Sequence, residues 1–313
     1  MFREMRTLIL ITLSLAATTA RDSLAQAPAG RQGRPALSFE PAGTNGFTFD
    51  TGVLRGKLRA DGKSKGLSAV VHIPTGVVLD SSLGLFSHYR VFSANHRYGT
   101  AAWDWPSEAR LAPDGSVEVR WPATIERPFE LSAVYRWAAP DTLDLETRVQ
   151  AKTNLVNFES FLASYFSEGF TNAAVWVRPK GVRRGRFMAP DRSCGYWLAF
   201  PCDEAAVSII RDGRWKYAPS PVDWVIQPPL AQPFGLRRCP ANGLRALLMS
   251  PPQDCFAVLT PFETEPHRSM YLSLFGRDLK AGDTARARAR LVIGTMSDER
   301  PIRLLEDYLQ QSR

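Results

Sequence analysis

Aromatic, imidazole, amide and guanidinium side chains are concentrated between Gly84 and Trp105, in the run GLFSHYRVFSANHRYGTAAWDW. Aromatic rings stack on the apolar faces of pyranose sugars, and Asn, Arg and His side chains bond sugar hydroxyls. This combination predicts a carbohydrate site. The candidate substrate-binding residues in the run are His88, Tyr89, Asn95, Arg97, Tyr98 and Trp103. The alternative is an aromatic edge of the core with exposed polar residues.

A second group of polar residues lies on the apolar run LVNFESFLASYF. Alternation places Asn157, Glu159 and Tyr165 on one face of a strand. Burial raises the pKa of a carboxyl group, and a raised pKa suits acid–base chemistry. Glu159 and His96 are therefore the candidate catalytic residues, and Asn157, Tyr165 and Glu168 are further candidates for substrate binding. The alternative is that both glutamates are exposed or form structural ion pairs with Arg.

The elements that carry these residues are predicted from alternation of apolar and polar side chains. Phe129–Trp137 and Leu143–Val149 both alternate with a period of two, which is typical of half-buried strands. The residues AAPDT between them are turn formers, so the two runs predict an antiparallel hairpin. A third strand, Leu155–Phe166, follows, and its richer apolar content predicts a deeper position.

Strand-like runs recur over the rest of the chain, and Ala206–Ile210 is one of them. Pro219–Pro233 is predicted as a long irregular loop because it is rich in proline. Only Asp298–Gln311 has the pattern of a helix, with Asp298 as its expected cap. The sequence therefore predicts an all-β protein, a large antiparallel β-sandwich with one C-terminal helix, in a single domain over residues 37–313.

The N-terminus has the pattern of a secretory signal peptide. Arg3 and Arg6 precede the apolar run Thr7–Ala20, and small residues stand before a cleavage point after Ala25. We expect residues 1–25 to be the signal peptide and residues 26–36 a flexible linker. A membrane anchor is the alternative, but the apolar run is short for a bilayer span. The expected location is periplasmic or extracellular, with no stable membrane span after cleavage.

The four cysteines lie close together in the sequence, at Cys194, Cys202, Cys239 and Cys255. In an oxidising compartment one or two disulfides are expected, and three pairings are open. A zinc site is the rival interpretation. No pair has the C-x₂-C spacing and no His lies among them, so the sequence predicts neither a metal nor another cofactor.

The chain is basic, with a net charge of +8, and arginines alternate with alanines at Arg286, Arg288 and Arg290. On a strand these three side chains share one face. A nucleic-acid site would interleave basic with aromatic residues or contain a known motif. A solvated strand face is the favoured interpretation, and no nucleic-acid partner is expected.

The all-β layout after Leu37, the run LDLETRVQAKTNLVNFESFLASYF and the closing run YLSLFGRDLKAGDTARARARLVIG resemble the galactose mutarotase-like β-supersandwich superfamily. That superfamily includes aldose epimerases and sandwich domains of several glycoside hydrolases and polysaccharide lyases. The segment SANHRYG is similar to the Asn-Arg region near the sugar site of the epimerases. Mutarotases act through two His and a Glu, so the resemblance implies acid–base roles for His88 or His96 and for Glu159 or Glu168.

The sequence favours an exported carbohydrate-binding protein. Acid–base chemistry on a sugar, of epimerase, glycosidase or lyase type, is the activity it could carry. The alternative is a non-catalytic structural or interaction protein of the cell envelope. A concave face with His96, Tyr98, Glu159 and Tyr165 side by side would support the sugar site, whereas their dispersal would support the interaction protein.

Overall fold

The computed structural model describes residues 37–312 except 44–45, 60–63, 95 and 263–267. The predicted signal peptide and linker lie outside the described residues, and so does Asn95. Among the helices within the described residues, none combines the length and the apolar character needed to cross a bilayer.

Twenty-one strands and two α-helices make up the described chain. The strands are β1 (Glu40–Pro41), β2 (Phe47–Asp50), β3 (Leu54–Arg59), β4 (Gly66–His72), β5 (Val77–Val78), β6 (Ser87–Ser93), β7 (His96–Arg97), β8 (Glu108–Leu111), β9 (Val117–Trp121), β10 (Phe129–Ala139), β11 (Thr142–Ala151), β12 (Leu155–Phe166), β13 (Asn172–Val177), β14 (Arg186–Met188), β15 (Trp197–Pro201), β16 (Val225–Ile226), β17 (Leu230–Arg238), β18 (Leu244–Met249), β19 (Cys255–Pro261), β20 (Arg268–Leu279) and β21 (Thr284–Thr295). The helices are α1 (Glu204–Ile210) and α2 (Arg300–Gln311).

The strands form three sheets. A five-stranded sheet has the order β1-β2-β3-β4-β5, and a seven-stranded sheet has the order β16-β15-β19-β20-β12-β6-β7. A nine-stranded sheet has the order β14-β13-β17-β18-β21-β11-β10-β9-β8. Among the described strand pairs only β15 and β16 are parallel. The prediction of a large antiparallel all-β sandwich is confirmed.

The predicted hairpin is strands β10 and β11, paired with Leu131 opposite Val149 and Tyr135 opposite Leu145. The third strand of that stretch, β12, leaves this sheet and pairs with β20 and β6 of the seven-stranded sheet. From Phe158 to Phe166 every residue of β12 is buried. The strand is covered on both faces, which is why its sequence is almost continuously apolar.

The main core lies between the nine-stranded and seven-stranded sheets. Phe129 of β10 contacts Phe158 of β12 with ring centroids 5.2 Å apart. Trp121 and Tyr135 of the nine-stranded sheet are fully buried in the same core. Burial of these large apolar surfaces is the main force that holds the two sheets together.

A second cluster lies on the opposite, outer face of the seven-stranded sheet. Residues 204–226, here named the covering segment, contain α1, a 3₁₀ turn at Arg214–Lys216 and β16, and they pack over this face. The outer aromatic cluster consists of Tyr89, Phe92, Trp103, Phe161, Tyr165, Trp215, Trp224 and Tyr271. The seven-stranded sheet is therefore buried on both faces in its central strands.

Two local predictions are wrong, and the predicted irregular loop Pro219–Pro233 is correct only in part, because it contains strand β16 and the start of β17. Ala206–Ile210 is part of helix α1 rather than a strand, and the side chain of Asp203 caps the helix by accepting from the Ala206 N–H at 2.9 Å. Asp298 does not cap α2, because its carboxylate pairs with Arg245 instead. The predicted position of the C-terminal helix itself is confirmed.

The predicted disulfides are also wrong, since all four cysteines are free. Cys194 and Cys202 lie beyond opposite ends of strand β15, and a five-residue strand is about 17 Å long, well beyond disulfide reach. Cys239 follows β17 in the nine-stranded sheet, whereas Cys255 begins β19 in the seven-stranded sheet. The strands therefore keep both of these pairs apart.

Candidate functional site

A β-bulge in strand β6 turns two consecutive side chains toward the outer face of the seven-stranded sheet. Val91 pairs with Ser160 and His88 pairs with Leu162, so two residues of β6, Tyr89 and Arg90, lie opposite Phe161 alone. Bulges of this kind re-aim side chains and are common beside functional sites. Part of the span that looks irregular in sequence is thus an interior strand with a local irregularity.

The aromatic rings on this face form a continuous surface. Tyr89 stacks on Trp103 with ring centroids 4.2 Å apart and an interplanar angle of 2°. Trp103 meets Tyr165 edge to face at 6.2 Å. Trp103 and Tyr165 are buried, whereas Tyr89 is only half-buried, so part of the stacked pair reaches solvent. Such a surface can bind an apolar ligand face.

Hydroxyl groups border this surface. Ser269 Oγ donates to the Tyr271 hydroxyl at 2.6 Å, and a further hydrogen bond joins Tyr271 to Tyr165. Burial raises the pKa of Tyr165 and of Tyr271, so both phenols stay neutral at physiological pH. They can therefore act as neutral hydrogen-bonding groups.

Glu159 also lies on the outer side of β12, but it is enclosed. Its Oε2 accepts from Arg214 Nη1 at 2.8 Å and its Oε1 accepts from Ser273 Oγ at 2.7 Å. The side chain is 1% exposed. Burial raises the pKa of the Glu159 carboxyl, and the adjacent Arg214 guanidinium offsets part of that rise. The geometry is that of the structural ion pair considered as the alternative from sequence.

His88 points the other way, into the main core. Its Nδ1 lies 3.0 Å from Ser160 Oγ, its Nε2 lies 3.4 Å from Thr147 Oγ1, and its ring meets the edge of Trp121. Burial lowers the pKa of His88 to about 3. The imidazole is neutral and serves as a hydrogen-bonding core residue.

The other candidates are dispersed. His96 is exposed and its ring packs on Tyr98, which in turn contacts Phe129 on the core side. Asn157 lies at a bulge with φ +48°, where its N–H donates to Asp278. Glu168 is exposed in the turn after β12.

The structure thus brings together Tyr89, Arg97, Trp103 and Tyr165. It does not bring His96 into contact with Glu159, and it does not place His96, Tyr98, Glu159 and Tyr165 side by side. Among the described residues no group of three His, Cys, Asp or Glu side chains could hold a metal ion.

Several residues of this face were missed in the sequence. These are Arg90, Trp215, Trp224 and Tyr271. The Arg90 guanidinium carbon lies 5.0 Å from the ring centroids of both Tyr89 and Trp215. Two Trp in the Pro-rich stretch 212–229 were the available signal, because large aromatic side chains in a loop need a surface to pack against.

An open cleft of about 800 Å³ lies elsewhere, beside β21 and the end of α2. Arg286 and Arg288 line it, and Arg288 is paired with Asp254 at 2.8 Å. Ala287 and Ala289 are buried while the arginines point outward, as the alternating sequence predicts. On this face Arg288 and Arg290 are paired with Asp254 and Asp144.

No protein-family model and no curated protein sequence matches this chain. Among solved structures, the Slr1438 protein from Synechocystis sp. PCC 6803 is similar at a TM-score of 0.50 and 13% identity, covering 83% of this chain and 99% of that one. A galactose mutarotase related enzyme from Lactobacillus acidophilus is similar at a TM-score of 0.47 and 9% identity, covering 81% of this chain and 98% of that one. A galactose mutarotase-like protein from Lactobacillus casei is similar at a TM-score of 0.46 and 9% identity, covering 80% of this chain and 100% of that one. The resemblance to galactose mutarotase-like structures is therefore a weak one and concerns the fold.

Proposed function

We propose that this protein binds a carbohydrate against the outer aromatic cluster, with the stacked pair of Tyr89 and Trp103 as the platform. The observation that carries the proposal is this pair, stacked at 4.2 Å and partly open to solvent. The phenols of Tyr165 and Tyr271 and the guanidinium of Arg97 supply polar groups beside it. An apolar surface with a few placed polar groups is the usual composition of a small-ligand site.

The proposal assigns binding and leaves acid–base catalysis by His96 and Glu159 as a prediction. For Glu159 to act as a base, it would have to leave both Arg214 and Ser273. His96 has no described hydrogen bond to a carboxylate that could orient it. Acid–base chemistry by Glu159 therefore requires a rearrangement of the covering segment at Arg214, whereas Tyr89 is already partly open to solvent.

The test is a titration of the native protein with neutral and acidic mono- and oligosaccharides. Calorimetry and tryptophan fluorescence measure the binding. We expect binding that is weakened tenfold or more in Tyr89→Ala and Trp103→Ala, because each removes one ring of the platform. Trp176→Ala is the matched control, since Trp176 pairs with Phe187 beside α2, on the other sheet. If no sugar binds the native protein, the result would contradict the proposal and favour a non-catalytic structural or interaction protein.

We also propose that the chain is exported, supported by the signal-peptide pattern of residues 1–25. Expression of the full chain in a bacterium, followed by fractionation and N-terminal sequencing, tests this. We expect the exported form to begin at Gln26. Recovery of an uncleaved chain in the cytosolic fraction would argue against export.

A further inference from the structure

Two buried arginines lie beside the stacked platform without a carboxylate partner. Arg90 is 3% exposed and Arg97 is 8% exposed. Within the described residues neither guanidinium has a carboxylate at ion-pair distance. By contrast, the buried Arg214 is held by Glu159 and Asp212. Two adjacent positive charges are therefore buried and uncompensated.

Several donors of this arginine pair have no acceptor. Nε and Nη1 of Arg90 and Nε of Arg97 are buried and make no hydrogen bond within the described residues. A buried donor without an acceptor costs free energy, and more so when it is charged. Burial, followed by the charge of Arg90, lowers the pKa of the Arg97 guanidinium. An anion at this position would accept hydrogen bonds from the unsatisfied donors and offset the positive charge of the two guanidiniums.

Of the remaining nitrogens, Arg97 Nη2 donates to the Thr100 carbonyl, whereas Arg90 Nη2 and Arg97 Nη1 bond backbone carbonyls of the exposed stretch 217–220. Arg90 Nη2 donates to the Ser220 carbonyl at 2.6 Å, and Arg97 Nη1 donates to the Pro219 carbonyl at 2.8 Å and to the Tyr217 carbonyl at 3.3 Å. These carbonyl oxygens stand where oxygens of an anionic ligand would bond. Carbonyls carry only partial charge, so an oxyanion would bind the arginines more strongly.

We propose that Arg90 and Arg97 bind an oxyanion group of the ligand, the carboxylate of an acidic sugar or the sulfate or phosphate ester of a sugar, which displaces the carbonyls of residues 217–220. The inference rests on the proposed carbohydrate function, because the arginines adjoin the same platform. The Arg90 guanidinium lies 5.0 Å from the centre of the Tyr89 ring. The Tyr89 hydroxyl lies beside both arginines. A sugar ring bound against the exposed part of Tyr89 would have a substituent near the guanidiniums.

The test compares sugars that differ only in the anionic group. Calorimetry with glucose, glucuronate, glucose 6-sulfate and glucose 6-phosphate, and the matching galactose series, is run on the native protein, with inorganic sulfate and phosphate alone as further ligands. We expect at least one anionic sugar to bind ten or more times tighter than its neutral partner. The preferred group identifies the source of the oxyanion. The free anions are expected to bind more weakly than the sugars.

Each other outcome has a distinct meaning. Neutral and anionic sugars binding equally would overturn the anion site and leave the carbohydrate function in place. Inorganic phosphate or sulfate binding as tightly as the sugar esters would overturn the assignment to an acidic sugar. If no sugar of either kind binds, the proposed function itself fails and the inference fails with it.

Variants separate binding from folding. We expect Arg90→Gln and Arg97→Gln each to lose the preference for the anionic sugar, with the affinity for the neutral sugar changed less than twofold. Arg110→Gln is the control, because Arg110 is 80% exposed on β8. The melting temperatures should stay close to that of the native protein, since the variants remove uncompensated charge. A preference for anionic sugars that survives in both folded variants would contradict the proposal.

Discussion

Arg214 and Glu159 form a buried ion pair that fastens the covering segment to strand β12. Nη1 of Arg214 lies 2.8 Å from Oε2 of Glu159, and the two side chains are 0% and 1% exposed. Arg214 also donates to the Asn157 carbonyl and to Asp212. The residue proposed as a base from sequence thus anchors the element that covers the outer aromatic cluster.

This pair gives the first prediction. Arg214→Ala leaves the Glu159 carboxylate buried with only Ser273 as a donor. Removing one partner of a buried ion pair typically costs about 3–5 kcal/mol. We expect the free energy of unfolding to fall by about that amount, as measured by urea denaturation followed by circular dichroism.

An exposed pair supplies the control for this prediction. Arg110 and Glu118 are 2.7 Å apart with Arg110 in solvent, and exposed pairs contribute little to stability. We expect Arg110→Ala to leave the urea midpoint nearly unchanged. The double variant Arg214→Met with Glu159→Leu should lose less stability than Arg214→Ala, because no buried charge is left alone. If Arg214→Ala, Arg110→Ala and the double variant lost the same unfolding free energy, the stabilising role of the Arg214–Glu159 pair would be refuted.

The fold could be predicted from the sequence where each strand has one buried face. The alternation in β10 and β11 identifies both strands and their pairing, with Leu131 opposite Val149. Ala206–Ile210 was mistaken for a strand because a short apolar run has no period long enough to distinguish strand from helix. Asp203, three residues before Ala206, was the helix-capping signal that the apolar run obscured.

The site could be predicted only in part. Tyr89, Trp103 and Tyr165 have residue types that indicate a sugar surface, and the structure brings them together. The role of Glu159 could not be predicted, because its partner Arg214 lies 55 residues away and joins it only through tertiary packing. Alternation also assigned no face to Arg90, since a bulge shifts the register locally.

His88 gives a prediction about pH. Its pKa in the folded protein is lowered to about 3 from an ordinary value of 6.5. Between these two values the unfolded chain binds a proton that the folded chain does not, so stability falls as the pH falls below about 6.5. From pH 7 to pH 4.5 this residue alone should cost about 2–3 kcal/mol, at about 1.4 kcal/mol per pH unit.

The measurement is urea denaturation of the native protein and of His88→Gln at both pH values. The difference in unfolding free energy between pH 7 and pH 4.5 should be smaller by about 2–3 kcal/mol in the variant. Carboxyl groups contribute equally to both proteins and cancel. An unchanged pH dependence in His88→Gln would rule out a neutral buried imidazole.

Gly84 gives a prediction about backbone packing beneath the site. Its φ is +74°, and a Cβ there would lie 2.1 Å from the Lys65 carbonyl oxygen and 2.7 Å from that of Leu67. The Gly84 carbonyl accepts from the Tyr165 N–H at 2.9 Å. A displaced Gly84 backbone would therefore also shift Tyr165 in the outer aromatic cluster. We expect Gly84→Ala to lose about 3 kcal/mol or more of unfolding free energy, from strain and from the shifted backbone.

Gly76 is the matched control, since its φ is +68° but a Cβ would meet nothing within 4 Å. Gly76→Ala should cost only the conformational penalty of about 1–2 kcal/mol. Thermal and urea denaturation of both variants give the comparison. Equal destabilisation would mean that crowding at the Lys65 carbonyl contributes nothing.

The cysteines give the last prediction. Burial raises the pKa of the Cys202 thiol to about 12 and raises that of Cys255 as well, whereas Cys239 is buried against Gly169. Thiolates react and thiols do not, so Cys202 and Cys255 should resist a disulfide reagent in the native protein, and burial should shield Cys239 from the reagent. Cys194, which is half-buried, should react first, and Cys194→Ser should abolish the fast phase.

In concentrated guanidinium chloride without reductant all four thiols should react, because no disulfide joins them. A count of two in the denatured chain would show that one disulfide forms and would contradict the four free thiols.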